Sequence, residues 1–366
     1  MLKKRLFIFF GVMMVSSCLC AQFNRLKIHK DNLEGPNKNN QESPTKSIDS
    51  SDIQFHKEYN KLSDQLHELK QENLHLKQQM VSLKIEFEHL KQVIALKGIF
   101  QKDSFAIPKI EVVKIVSDTF TIGSPLGELN RGYDEVQYKV SLNAFKISKF
   151  EITNAQYAQF LNSMHVGSDG INKLGEYPGK VLIYPNIGWG LVFLEFKWFP
   201  VKGYENHPVV NVTWYGADEF AKFVGGRLPT EAEWEYACRS KTNTSFNTGN
   251  CLSDNQANFD WTHHYQQCSI TSKTKSTKTR PVGSYAPNEF GLYDMHGNAN
   301  EWCNDWYGEY DTSSQKNPQG PTLGMERIIR GGGWDGSAWH CRSASRFSNA
   351  ANYENDGLGF RVVFLK

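Results

Sequence analysis

The chain has 366 residues, which is enough for one large domain or two ordinary ones. Its formal net charge at pH 7 is only +2, from 41 basic and 39 acidic residues, and this balance excludes a strongly basic nucleic-acid-binding protein. The 29 glycines and 9 tryptophans are typical of a loop-rich globular domain in which aromatic side chains hold irregular backbone in place.

Residues 1–21 predict an export signal. Basic residues at positions 3–5 precede an apolar run, Leu6–Val15, which is too short to span a bilayer comfortably. Residues 15–18, VSSC, resemble a bacterial lipobox, in which Cys18 would become the acylated first residue of the mature protein. The alternative is ordinary cleavage after Ala21. Both routes predict an exported protein, in the periplasm or associated with the outer membrane as a lipoprotein, where disulfides persist.

Residues 22–53 are polar, and the part from 37 to 51 is nearly free of bulky apolar side chains. Such a segment cannot bury enough surface to fold, so we expect a disordered tether between the anchor and the rest of the chain.

A heptad repeat over residues 54–98 predicts a coiled coil. Leucine fills most d positions, and Asn73 lies at an a position. Lysines at e and Glu or Gln at g agree with a parallel register. Asn73 favours self-association as a parallel dimer, because a buried asparagine can pair with its own copy; a trimer stays open. The alternative is a single amphipathic helix packed on the C-terminal domain.

A globular domain is predicted from 110 to 366. Alternating apolar residues indicate strands at 112–116, 120–122 and 136–142, and Pro208–Val212 has the composition of a buried strand. Thr153, Thr213 and Thr230 are each placed to cap a helix, the last of them before Glu231–Arg239. Short strands and turns are expected at 327–332, 342–346 and 359–365.

Five cysteines lie beyond the signal region: Cys238, Cys251, Cys268, Cys303 and Cys341. An odd number leaves at least one thiol free or paired with another molecule. Spacing alone does not give the connectivity, but Cys251–Cys268 and Cys303–Cys341 are the pairs that we expect.

Four ordered segments resemble the formylglycine-generating enzyme, or sulfatase-modifying-factor, family. The most specific is Arg280–Trp306, which contains GLYDMHGNANEW at 291–302; the others are Phe145–Asn162, His207–Arg239 and Arg330–Val362. The resemblance covers roughly residues 113–366. It implies a compact, loop-rich α/β (α+β) domain related to C-type lectins.

The resemblance also implies a copper oxidase site that this sequence does not complete. The founding enzyme oxidises a cysteine of exported sulfatases to formylglycine with oxygen and a copper ion held by two cysteines. The first ligand position falls near Gly336, which has no thiol, and the second at Ala338 or Cys341. Cys341, beside His340, is therefore the candidate catalytic residue, and copper is not expected; the alternative is that Cys341 is structural.

A calcium site is the better-preserved part of the resemblance. Its ligands fall on the side chains of Asp294 and Glu301 and on the carbonyls of Gly297 and Ala299, a donor set that suits a hard cation. The alternative is a loop held by hydrogen bonds alone.

A second family calcium site would begin at Asn258 and the carbonyl of Phe259, but its aspartate is missing from the aligned residues 274–276.

Two functional hypotheses follow from these residues. The first is a structural or interaction module of a cell-envelope assembly, carried on a coiled coil and a lipid anchor. The second is a formylglycine-generating oxidase, or a related oxidoreductase. Four arginines could bind an anionic ligand, but we expect them to brace loops through carboxylates: Arg227, Arg330, Arg342 and Arg346.

Overall fold

The computed structural model describes residues 50–98, 107–265, 268 and 276–365. The predicted signal segment and most of the predicted tether lie outside these residues. The chain divides into two compact units, of which Phe105–Lys366 is the larger. Within the described residues, no helix is both long enough and apolar enough to cross a membrane.

The described part of the first unit is a single helix, α1, Ser50–Gly98. It contains the whole heptad segment and begins four residues before it. The amide of Asn73 donates to the carbonyl of Leu69 in the preceding turn, at 3.2 Å. Pairing of this helix with a second copy stays a prediction.

Within the described residues, the larger unit alternates short strands with three short helices. The helices are α2 (Asn154–Ser163), α3 (Trp214–Phe223) and α4 (Glu231–Arg239). The strands are β1 (Val112–Ile115), β2 (Asp118–Ile122), β3 (Tyr138–Leu142), β4 (Phe145–Ser148), β5 (Leu191–Leu194), β6 (Lys197–Pro200), β7 (Asn300–Trp306), β8 (Gln315–Lys316), β9 (Glu326–Arg330), β10 (Phe347–Ala350), β11 (Leu358–Gly359) and β12 (Val363–Phe364). A 3₁₀ helix, Ala338–Cys341, precedes β10.

These strands form four small sheets, of which one carries the site. Its order is β10-β9-β7-β11, with β7 antiparallel to β9 and parallel to β11. The other sheets are β1-β4-β12, β2-β3-β8 and the hairpin β5-β6. The three helices begin at the threonines that the sequence indicated, and Thr153 and Thr230 each form a complete capping box.

Tryptophan side chains fasten β7 to the helices and loops around it. The indole of Trp302 donates to the carbonyl of Val212 at 2.9 Å, and the indole of Trp214 donates to the carbonyl of Cys303 at 2.9 Å. Because each ring is fully or almost fully buried, these bonds fix irregular backbone from within the core.

The strand predicted at residues 208–212 is wrong. Residues 208–212 make only isolated bridges, in which Pro208 pairs with Thr153 and Val212 pairs with Ile183. This segment is therefore buried as a connector between elements. Residues 342–346, where short strands and turns were expected, form a turn in which Arg342 and Arg346 meet buried carboxylates, and the strand begins at Phe347.

The predicted disulfide Cys251–Cys268 is confirmed, and the predicted pair Cys303–Cys341 is wrong. Cys303 lies on β7 and packs in a cluster with α4, whereas Cys341 ends the 3₁₀ helix and packs in a different cluster with Phe246. Both are buried free thiols, because the two clusters hold them in separate places.

All four of the arginines expected to brace loops do so, through carboxylates. Arg227 pairs with Glu233, Arg330 with Glu231 and Glu235, Arg342 with Glu128 and Glu135, and Arg346 with Asp134 and Glu231. A fifth, Arg361, was not anticipated and belongs to the site below.

Candidate functional site

The loop that enters β7 needs an unusual backbone. Asp294, Gly297 and Asn298 have φ values of 55°, 77° and 68°. A Cβ at Gly297 would lie 2.4 Å from the carbonyl oxygen of Asn258, so only glycine fits there. The loop thus runs close against the Asn258 backbone before it enters the sheet at Asn300.

Glu301 is the buried end of this loop. Arg361 donates to its two carboxylate oxygens, each at 2.7 Å, and the indole of Trp234 adds a third bond at 2.7 Å. Both Glu301 and Arg361 are completely buried. A charged group in a protein interior requires an opposite charge and hydrogen bonds, and Glu301 has both.

Glu151 is a second buried carboxylate that the sequence analysis did not single out. Its oxygens accept from the backbone N–H of Ala299 at 3.0 Å and from the amide of Asn298 at 2.8 Å. Burial, followed by the charges of Asp294 and Glu301, raises its pKa well above the usual range. The sequence signal that could have indicated its burial is that Glu151 is a lone acidic residue between the apolar Phe150 and Ile152.

Asp294 completes an acidic cluster. It accepts from the N–H of Gly283 at 2.6 Å, and burial raises its pKa to about 6, with Glu301 adding to the effect. Three buried carboxylates, those of Glu151, Asp294 and Glu301, therefore share one guanidinium. The cluster holds more negative charge than Arg361 neutralises, so it must bind protons or a cation.

The first predicted calcium set fits a hard cation in donor type. Asp294 and Glu301 contribute carboxylates; Oε2 of Glu301 already accepts from both Arg361 and Trp234, so the remaining acceptor capacity of Glu301 is at Oε1. Across the described residues, no three His, Cys, Asp or Glu side chains converge closely enough to hold a metal ion by themselves. A cation here would therefore also need the carbonyls of Gly297 and Ala299.

In the second predicted set, Asn258 and the carbonyl of Phe259, the side chain of Asn258 is occupied by protein contacts. Asn258 is fully buried; its amide donates to the carbonyl of Lys278 at 3.0 Å, and its oxygen accepts from the hydroxyl of Ser276 at 2.6 Å. Ser276 is one of the three aligned residues among which the resemblance expects an aspartate ligand. Its hydroxyl instead bonds to the side chain of Asn258, which would face the cation.

Cys341 is a buried thiol that packs against backbone. Its sulfur lies against the backbone of Gly332, where an added Cβ would be 2.6 Å away, whereas a Cβ at Gly336 would be 3.6 Å from Nδ1 of His340. Burial raises the pKa of the Cys341 thiol. Ala338, the other possible second position, is fully buried and has no thiol. A reactive or metal-binding cysteine needs an accessible thiolate.

His296 is a buried histidine that the sequence analysis also missed. Its Nε2 accepts from the N–H of Asn247 at 3.0 Å, so Nδ1 carries the proton and donates to the carbonyl of Cys341 at 2.7 Å. Burial lowers its pKa to about 4. The neutral imidazole forms a hydrogen bond with each of its nitrogens, and the bond to the Cys341 carbonyl connects the 291–302 loop to the 3₁₀ helix.

The short helices, the four small sheets and the 291–302 loop define a mixed helix-and-strand fold of the formylglycine-generating-enzyme type, related to C-type lectins. A family model described as the sulfatase-modifying factor enzyme 1-like domain matches residues 103–365, and the chain belongs to this family.

Relatives in this family carry different names. The formylglycine-generating enzyme of Streptomyces coelicolor is 32% identical over 284 residues, covering 69% of this chain and 88% of that protein. The serine/threonine-protein kinase pkn1 of Chlamydia caviae is 34% identical over 267 residues, or 69% of this chain, but this chain spans only 38% of that protein. The structure of PvdO from Pseudomonas aeruginosa is similar with a TM-score of 0.54 and 25% identity, covering 69% of this chain and 94% of that one.

Proposed function

We propose that this protein is an exported, membrane-anchored bacterial envelope protein whose family domain serves as a structural or interaction module. The observation that carries the proposal is the incomplete thiol pair. Gly336 supplies no sulfur, and Cys341 is buried with its thiol turned toward Gly332. Because Cu(I) binding by this family's site depends on two thiolates, we derive no oxidation step for this chain.

The scaffold itself supports a binding role. Completely buried Arg–Glu pairs and capped helices hold the loops around β7, so the surface loops project from a fixed frame. Preorganised loops lose little entropy on binding, which favours recognition of a partner.

Export and anchoring belong to the same proposal and rest on the sequence. The test is a Cys18→Ala variant expressed in a bacterial host. We expect the wild-type protein in the membrane fraction and the variant in the soluble fraction; membrane association of both proteins would contradict an acyl anchor.

Calcium binding at the 291–302 loop is proposed on the charge balance of the acidic cluster. We expect calcium at one hundred times its dissociation constant to stabilise the domain by about 2.7 kcal/mol, and magnesium to do so far less. Glu301→Gln removes one ligand charge and should abolish the effect, whereas Asp294→Asn should weaken it. Thermal unfolding that is identical in calcium and in chelator would refute the site.

The alternative function is a formylglycine-generating oxidase with an altered metal site, and the similarity to the Streptomyces coelicolor enzyme favours it. Purified protein that converts the cysteine of a sulfatase-type peptide, followed by mass spectrometry, would establish it. Kinase activity is not proposed, because the sequence contains neither the HRD nor the DFG triplet of protein kinases.

A further inference from the structure

A cleft of about 540 Å³ runs beside residues 276–281. Tyr204 and Trp261 contribute aromatic surface to its lining, and Lys278 and Arg280 contribute the charge. Clefts of this volume with aromatic surface and a few polar groups are typical ligand sites.

The two cations are held apart by different aromatic partners. Nζ of Lys278 donates to the hydroxyl of Tyr204 at 2.6 Å and lies 4.9 Å from the centre of that ring. The guanidinium carbon of Arg280 lies 5.3 Å from the ring centre of Trp261. Thr279 is buried between these two exposed residues.

Neither cation has a carboxylate partner among the described residues. Over the described ranges, no carboxylate lies within 4.0 Å of Lys278 or Arg280. Burial, and then the charge of Lys278, lowers the pKa of the neighbouring His207. The imidazole is therefore neutral at pH 7, and the cleft has two separate positive charges.

The backbone beneath these cations is fixed by buried side chains. Nδ1 of His207 lies 3.0 Å from the hydroxyl of Thr279. Asn258 donates to the carbonyl of Lys278 at 3.0 Å, and Asn298 accepts from the N–H of Arg280 at 2.7 Å. The segment thus needs no folding step to present its charges, which lowers the entropy cost of binding.

We propose that this cleft binds an extended acidic peptide segment, with carboxylates two residues apart bound by Lys278 and Arg280. Side chains two residues apart on an extended peptide share a face and are separated by about 6.6 Å, so two carboxylates of one peptide can bind two cations that are held apart. The peptide backbone between the carboxylates would pass over the aromatic surface of Tyr204 and Trp261, and the intervening side chain would point away from the cleft. A lone phosphate would instead require the two cations to converge, and their aromatic partners oppose this.

This inference deepens the proposed interaction function by giving the chemistry of the partner, and it rests on that function. The test is fluorescence anisotropy with the full chain and a labelled Gly-Glu-Thr-Glu-Gly peptide. We expect binding that weakens as salt is raised and is lost when both glutamates are replaced by glutamine.

Matched variants assign the binding to the cleft. Lys278→Gln and Arg280→Gln should each weaken the peptide about tenfold, which corresponds to about 1.4 kcal/mol. Lys180→Gln is the control, since Lys180 also lies over a tyrosine ring, that of Tyr215 at 5.2 Å, but outside the cleft. It should bind the peptide as the wild type does. Unchanged circular dichroism verifies that the variants are folded, since Arg280 lies over Trp261 and tryptophan fluorescence responds directly to its loss.

Three results would overturn the proposal. They are equal affinity for the glutamate and glutamine peptides, wild-type affinity in both Lys278→Gln and Arg280→Gln, or inorganic phosphate binding as tightly as the peptide. The proposed function fails by a separate result. A protein that binds copper and converts a sulfatase cysteine refutes the non-catalytic module, whether or not the acidic peptide binds.

Discussion

Arg361→Met is the substitution that most directly probes the acidic cluster. The guanidinium is completely buried, makes two bonds to Glu301, and donates to the carbonyls of Ser148 at 3.1 Å and Tyr293 at 3.0 Å. Methionine fills similar space but leaves three carboxylates without a cation. Removing one partner of a buried ion pair costs about 3–5 kcal/mol, so we expect a loss of that size in the free energy of unfolding at pH 8.

The cost should depend on pH. An acid whose pKa in the folded protein lies above its unfolded value destabilises the fold as the pH rises through that interval. Asp294 has this property, with its pKa raised by burial from the ordinary 3.8 to about 6. Loss of Arg361 raises the pKa values of the cluster further, so the variant should lose more stability at pH 8 than at pH 5.

Denaturant unfolding followed by tryptophan fluorescence is the assay, because all nine tryptophans lie between residues 189 and 339 and report on the family domain alone. Glu301→Gln is the matched control and should cost only about 1–2 kcal/mol, since Asp294 and Glu151 still balance Arg361. The double variant should be more stable than Arg361→Met. Equal losses at pH 5 and pH 8, or a double variant less stable than either single one, would refute the charge argument.

Further predictions concern the cap, the disulfide, a buried acid and the coil. Thr230→Ala should cost about 1 kcal/mol in the same assay, and full stability would mean that the capping box contributes nothing. Replacing Cys251 and Cys268 together by serine opens a loop closed across 17 positions and should cost about 3 kcal/mol; a midpoint insensitive to reductant would contradict this. Burial raises the pKa of Asp305 to about 8, so this group makes the wild type less stable as the pH rises from 4 to 8. Asp305→Asn should reduce the slope to the part contributed by the other buried acids such as Asp294, and an unchanged slope would be the opposing result. Asn73→Lys should lower the mass in sedimentation equilibrium, and an unchanged mass would show that this position is not in an interface.

Local chemistry made parts of the fold predictable. Threonines with Gln or Glu three residues later gave the starts of α2 and α4, because a capping box is satisfied within four residues. Strands β2 and β3 followed from apolar alternation. The strand prediction at Pro208–Val212 was wrong because a buried connector and a buried strand have the same apolar composition. Only long-range pairing of the backbone distinguishes the two.

The site was less predictable, because its parts come from distant positions. Glu151 and Arg361 reach the 291–302 loop from opposite ends of the domain, and no local pattern connects a carboxylate with a guanidinium 210 positions away. The error at Cys303 and Cys341 has the same origin, because two thiols in separate packing clusters look equivalent in sequence.

Copper binding is the measurement that tests the central claim most directly. The purified full chain would be titrated with Cu(I) against a colorimetric chelator under reducing conditions, with the Streptomyces coelicolor enzyme as the positive control. Because Gly336 has no thiol and Cys341 is buried, we predict no stoichiometric tight binding and no conversion of a sulfatase-type cysteine peptide. One tightly bound Cu(I) per chain, together with formylglycine in the product peptide, would contradict the account.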